Sequence, residues 1–109
     1  FRDLFGLTPP DDRRGCLQDI HWSMGGLGYF ATYTLGNLNA AQLFATAKKN
    51  KKIAASLDKC DYAPLLKWLR DNVHAWGAAL TPTEIMQHAT GKATDAKWHV
   101  AHLCERYVG

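Results

Sequence analysis

Residues 20–47 read IHWSMGGLGYFATYTLGNLNAAQLFATA, and not one of these positions carries Asp, Glu, Lys or Arg. Phe30, Tyr33, Leu38, Ala41 and Phe44 recur at near-helical spacing and predict a helix from Tyr29 to about Lys49. Its other side, with Leu35, Ala40, Leu43 and Ala47, is equally uncharged, so no face of this helix is marked for water. A helix without a polar stripe is buried on all sides, inside a large protein or in a membrane. A membrane span needs about 20 mainly apolar residues. Here His21, Ser23, Thr32, Thr34, Asn37, Asn39, Gln42, Thr46 and four glycines interrupt the run, and so many polar groups in lipid are costly. The stretch reads as the central helix of something larger than this chain, with no membrane partner.

Outward from that run the chain stays helical. Thr8-Pro9-Pro10-Asp11-Asp12 forms a loop from which a helix is expected to start near Asp12, run through Trp22 and fail at Gly25-Gly26. Downstream, Ile53 to Lys59 makes a short helix. Asp61 caps another, with Pro64 in its first turn, Leu65, Trp68, Leu69, Val73 and Trp76 on its buried face, and Gly77 as its stop. Thr81-Pro82-Thr83-Glu84 is a capping box opening a helix that ends at Gly91, and Thr94 is expected to cap a last helix burying Trp98, Ala101 and Tyr107. No alternating strand pattern of useful length and no internal repeat occurs. The expected fold is all-α, a single helical unit over residues 1–109.

Composition narrows the class. A chain of 109 residues with 47% hydrophobic and 21% charged residues is an ordinary globular mixture of one domain's size, which excludes disorder and collagen. The net charge of +3 is too small to argue for nucleic acid. Cys16, Cys60 and Cys104 are odd in number and lack a C-x-x-C spacing, so small buried thiols in a reducing, cytoplasmic setting are expected. The start at Phe1, without a secretory leader pattern, reads as processing or a cut fragment.

The chemistry concentrates at Gly15-Cys16-Leu17-Gln18-Asp19-Ile20-His21-Trp22, which places an amide, a carboxylate, an imidazole and an indole within five positions. On a helix Gln18, His21 and Trp22 share one face, whereas Asp19 and His21, two apart, need not pair. A histidine satisfied inside a core is the plain alternative. Against it stand Tyr29 and Tyr33, two phenols within twelve residues of the imidazole. His and Tyr donors aimed at one carbonyl are a way to stabilise an oxyanion.

The same residues match G-x-x-Q-D-x-H-W at all five fixed positions, and this resembles the carboxypeptidase Taq family of zinc metallocarboxypeptidases. Pro10-Asp11-Asp12, Gly28-Tyr29-Phe30 with Tyr33, Leu35-Gly36-Asn37-Leu38, Ala40-Ala41-Gln42-Leu43-Phe44 and the segment from Trp68 to Tyr107 extend the resemblance over nearly the whole chain. It implies a mainly helical enzyme with a deep cleft, usually a homodimer, that removes residues from peptide C termini. It also implies zinc held by the two histidines of H-E-x-x-H and a later glutamate, the motif's own glutamate activating water. Glu84 and Glu105 are the two glutamates of this sequence and neither lies in such a motif. The resemblance therefore implies the carboxyl-terminal portion of such an enzyme, with zinc in the full-length protein and none bound by this chain. It assigns His21 with Tyr29 or Tyr33 to the developing oxyanion, and Gln18, Asp19 and Trp22 to substrate binding and support.

Two other readings compete. Residues 81–89, a short turn and residues 94–107 outline a helix-turn-helix, but a helix starting Asp95-Ala96-Lys97-Trp98 offers little to read base edges. A purely structural domain would use the same fold and deny His21 and the tyrosines a role. His99-x-x-His102 has a spacing some metal sites use, but only Asp95 or Cys104 is near as a third ligand. His74 and His88 read as surface residues.

Overall fold

The computed structural model describes residues 2–108, and among these every regular element is helical. Seven α-helices occur: α1 (Arg2–Phe5), α2 (Ile20–Ser23), α3 (Tyr33–Ala47), α4 (Lys51–Leu57), α5 (Ala63–Asn72), α6 (Pro82–Thr90) and α7 (Lys97–Tyr107). Single 3-10 turns lie at Asp12–Arg14, Cys16–Gln18, Phe30–Thr32 and His74–Trp76. The all-α expectation holds. The chain divides into two compact units, Phe1–Tyr33 and Thr34–Gly109.

In the first unit the helix expected from Asp12 to Trp22 is instead three short pieces. Gly15 has φ −119 and ψ −116, outside the helical region, and Asp19 is extended at φ −88 and ψ 116. Gly15 is buried, and a Cβ there would press on Pro9, lying 3.2 Å from its ring carbons. Asp19 turns extended because it caps α2, accepting the backbone N–H of His21 at 2.8 Å.

In the second unit α3 carries the expected run, and its buried residues are Gln42 and Ala47. Leu35 and Phe44 are exposed, so within this chain the helix is not covered on all sides. Gln42 is the clamp. It is 1% exposed, donates through Nε2 to Thr90 Oγ1 at 2.7 Å and to the carbonyl of Ala93 at 3.1 Å, and accepts the N–H of Asp95 at 2.9 Å. One amide thus ties α3 to the end of α6 and the segment before α7 and leaves none of its groups stranded. Around it the small core comprises Ala47, Ile53, Met86 and Ala89.

The remaining boundaries follow from capping. Asn50 accepts the N–H of Lys52 at 3.0 Å and starts α4 two residues before the expected Ile53. Asp61 accepts the N–H of Ala63 at 3.0 Å from one residue before the N-cap position, which Tyr62 occupies. Leu65, Trp68, Leu69 and Val73 are half-buried, whereas Trp76 is exposed on the turn after α5 and meets His88 edge-on at 4.9 Å. The capping box is formed, Glu84 accepting the N–H of Thr81 at 2.8 Å, and Gly91 closes α6 in the left-handed region. Thr94 does not cap α7. Its hydroxyl donates to Asn39 at 2.6 Å, and Asp95 accepts the N–H of Lys97 at 3.0 Å instead. Residues 91–96 separate α6 from α7, longer than the turn expected of a helix-turn-helix. Trp98 is half-buried, but Ala101 and Tyr107 are exposed, as are all three cysteines, contrary to the burial expected of them.

Candidate active site

The candidate site lies wholly in the first unit and is built around the imidazole of His21. The cap at Asp19 starts α2, so Asp19 and His21 stand on one turn with their side chains converging. Asp19 Oδ1 is 2.7 Å from His21 Nδ1 and also takes the backbone N–H of the same residue. This overturns the expectation that two residues so spaced need not pair, because that expectation assumed a helix through Asp19. The backbone N–H of His21 first, and then its ring, hold the Asp19 carboxyl below the ordinary aspartate value.

Behind α2 the chain folds back at once. The N–H of Gly26 donates to the carbonyl of His21 at 2.7 Å, and a Cβ at Gly26 would stand 3.0 Å from that oxygen. Gly28 has φ +78, which favours glycine. The glycine run thus returns the 3-10 turn Phe30–Thr32 onto the imidazole. Tyr29 stacks on the His21 ring with centroids 5.8 Å apart, Phe30 meets it edge-on at 5.0 Å, and Tyr33 edge-on at 6.0 Å. Tyr29 and Tyr33 also touch each other, edge to face, at 5.9 Å.

An open cleft of about 730 Å³ lies over this cluster, and Gln18, Asp19, Ile20, His21, Met24 and Tyr29 are among its lining residues. Five of the six proposed site residues, Gln18, Asp19, His21, Tyr29 and Tyr33, are thereby brought into one neighbourhood. Gln18 Nε2 donates to the carbonyl of Arg13 at 2.5 Å, anchoring the preceding turn. Trp22 is more than half exposed and is not among the cleft-lining residues. Of the two tyrosines, Tyr29 lines the cleft. Phe30 is a ring partner that sequence reasoning missed, and the Asp19–His21 pair was readable as an N-cap aspartate before Ile20.

The second unit holds another groove, of about 520 Å³, in which His99 and His102 face Phe44, Lys48 and Trp98. Among the described residues no group of three or more His, Cys, Asp or Glu is placed to hold a metal ion. His99 and His102 therefore lack the further ligands of a metal site, and the described residues do not fit a zinc centre. Also among the described residues, no helix is long and apolar enough to cross a membrane.

The sequence profile of the carboxypeptidase Taq (M32) metallopeptidase family matches residues 1–107. Thermostable carboxypeptidase 1 of Pyrococcus furiosus is 39% identical over 106 residues, covering 96% of this chain and 21% of its own length. The protein of the same name from Thermus thermophilus is 38% identical over 109 residues, covering 99% of this chain and 21% of that protein. The solved structure of Trypanosoma cruzi metallocarboxypeptidase 1 superposes with a TM-score of 0.82 at 33% identity, over 99% of this chain and 23% of that one. The chain therefore spans about a fifth of the length of its relatives, as a helical portion of their fold. With its profile matched almost end to end, this chain belongs to the carboxypeptidase Taq (M32) metallopeptidase family.

Proposed function

We propose that this chain is the carboxyl-terminal part of the catalytic domain of a zinc metallocarboxypeptidase that removes single residues from peptide C termini. His21, with a tyrosine hydroxyl beside it, hydrogen-bonds the substrate carbonyl oxygen as negative charge develops there. The observation that carries this reading is one imidazole set between a carboxylate at 2.7 Å and the rings of Tyr29 and Tyr33, beside an open cleft. A histidine serving only a core would not need such a cleft. Asp19 and Gln18 hold the geometry, and Trp22 supports it from outside the lining. The zinc of the full-length enzyme is expected from residues outside this chain.

The remaining expectations are part of the same proposal. The full-length enzyme is a homodimer that acts on peptide C termini, and not on nucleic acid or at a membrane. Its setting is cytoplasmic, which three exposed free cysteines support, since oxidising compartments favour pairing.

A direct assay tests the activity. The full-length protein should release the last residue from a peptide with a free C terminus and leave a C-terminally amidated peptide intact. The 109-residue chain alone should bind no stoichiometric zinc and cleave neither peptide. Equal cleavage of both peptides by the full-length protein would rule out a carboxypeptidase.

A further inference from the structure

We infer that Asp19 is a positioning residue that locks the neutral imidazole of His21 in the tautomer with its proton on Nδ1, leaving Nε2 with its lone pair. A neutral imidazole has one donor and one acceptor nitrogen, and the partner of either nitrogen decides which is which. Nδ1 is 2.7 Å from Asp19 Oδ1, the same oxygen that accepts the backbone N–H of His21 at 2.8 Å. An ionised carboxylate has only lone pairs to offer. A lone pair on Nδ1 would face that oxygen repulsively at this distance, so the proton sits between them on nitrogen.

The ring is also held against turning. Tyr29 stacks on it while Phe30 and Tyr33 meet it edge-on, and rotation by half a turn would place a carbon opposite the carboxylate and lose the bond. Asp19 in turn is fixed by its duty as the cap of α2. The titratable side chains facing His21 from its own and the adjoining segments are therefore Asp19, Tyr29 and Tyr33.

The consequence for chemistry rests on the oxyanion reading above. A neutral His21 accepts at Nε2 and has no second N–H to donate; only its imidazolium donates from both nitrogens. With His21 neutral, the donor this cluster offers an oxyanion is a phenol O–H, and Tyr29 is the tyrosine that lines the cleft. To hydrogen-bond the oxyanion as proposed above, His21 carries a second proton and donates from Nε2 while Nδ1 stays bound to Asp19.

The test is nitrogen-15 NMR of histidine-labelled full-length enzyme at alkaline pH, with the His21 signals assigned by their loss in His21→Gln. The expected result is a directly bonded proton on Nδ1 and none on Nε2. In Asp19→Ala the proton should shift to Nε2 in most molecules; should that variant not fold, the wild-type spectrum decides alone. A wild-type proton on Nε2 overturns the lock. A proton on Nδ1, in an enzyme whose His21→Ala variant retains turnover, upholds the lock and removes the oxyanion reading.

Discussion

Asp19 Oδ1 lies 2.7 Å from His21 Nδ1 because the same aspartate, itself extended, caps the helix on which the histidine stands. One carboxylate oxygen thus sets both the backbone and the ring of the residue proposed to meet substrate. Local folding and site geometry are the same event here, and the variants that separate them are informative.

Tyr29 and Tyr33 both touch the imidazole, yet Tyr29 alone of the two lines the cleft. In the full-length enzyme Tyr29→Phe should lower turnover by about 10²–10³-fold, the usual loss on removing one oxyanion donor. Tyr33→Phe should stay within a few-fold of wild type. Steady-state kinetics on a single peptide distinguish them, and the reverse order of effects would move the donor role to Tyr33.

Much of this was legible in sequence where local chemistry decides. The capping box at Thr81 and Glu84, the left-handed Gly91 and the Asp61 carboxylate at the start of α5 depend on neighbours four or fewer residues away. The helix expected across Gly15 and Asp19 breaks at both residues, Gly15 lying outside the helical region and Asp19 extended as the cap of α2. Helical spacing alone does not reveal either break. Gln42 looked like one more polar interruption of an apolar run, because its partners at Thr90, Ala93 and Asp95 lie about fifty residues on. The five fixed positions of the motif pointed to His21, but not to the rings that surround it.

Gln42 offers the sharpest stability test. Gln42→Leu keeps the volume but takes away the acceptor of the Asp95 N–H and the donor to Thr90 Oγ1 and the Ala93 carbonyl, and a buried polar group left unpaired costs about 1–3 kcal/mol. The urea midpoint should fall accordingly. Asn39→Ala, which breaks only the exposed contact to Thr94, should shift it far less. Equal effects would show that Gln42 is not the clamp.

Gly26 makes a close approach that activity should register. Gly26→Ala sets a Cβ 3.0 Å from the backbone carbonyl oxygen of His21, so the turn after α2 has to give by a few tenths of an ångström. Overpacking of this kind costs about 1–3 kcal/mol, and turnover should fall while zinc content holds. Wild-type kinetics in Gly26→Ala would show that the imidazole tolerates displacement.

Acid should loosen the fold in a defined direction. Asp19, Glu84 and Asp95 are held below their ordinary values of 3.8, 4.5 and 3.8, chiefly by hydrogen bonds from His21, Thr81 and Lys97 respectively. A carboxyl lowered on folding favours the fold in its ionised form. That contribution is complete above the unfolded values and is lost as pH falls through the folded ones. The melting temperature should be level from neutral pH to about pH 5 and decline below about pH 4. Asp19→Asn with Glu84→Gln should flatten that decline, and an unchanged slope would exclude these groups as its source.

If His21 serves the chemistry while the metal is held elsewhere, one paired measurement on His21→Ala in the full-length enzyme separates the two. Zinc content and peptidase turnover are determined on the same preparation. The expected result is wild-type zinc with turnover reduced by about 10²–10³-fold. Turnover within a few-fold of wild type, or loss of the zinc itself, contradicts it.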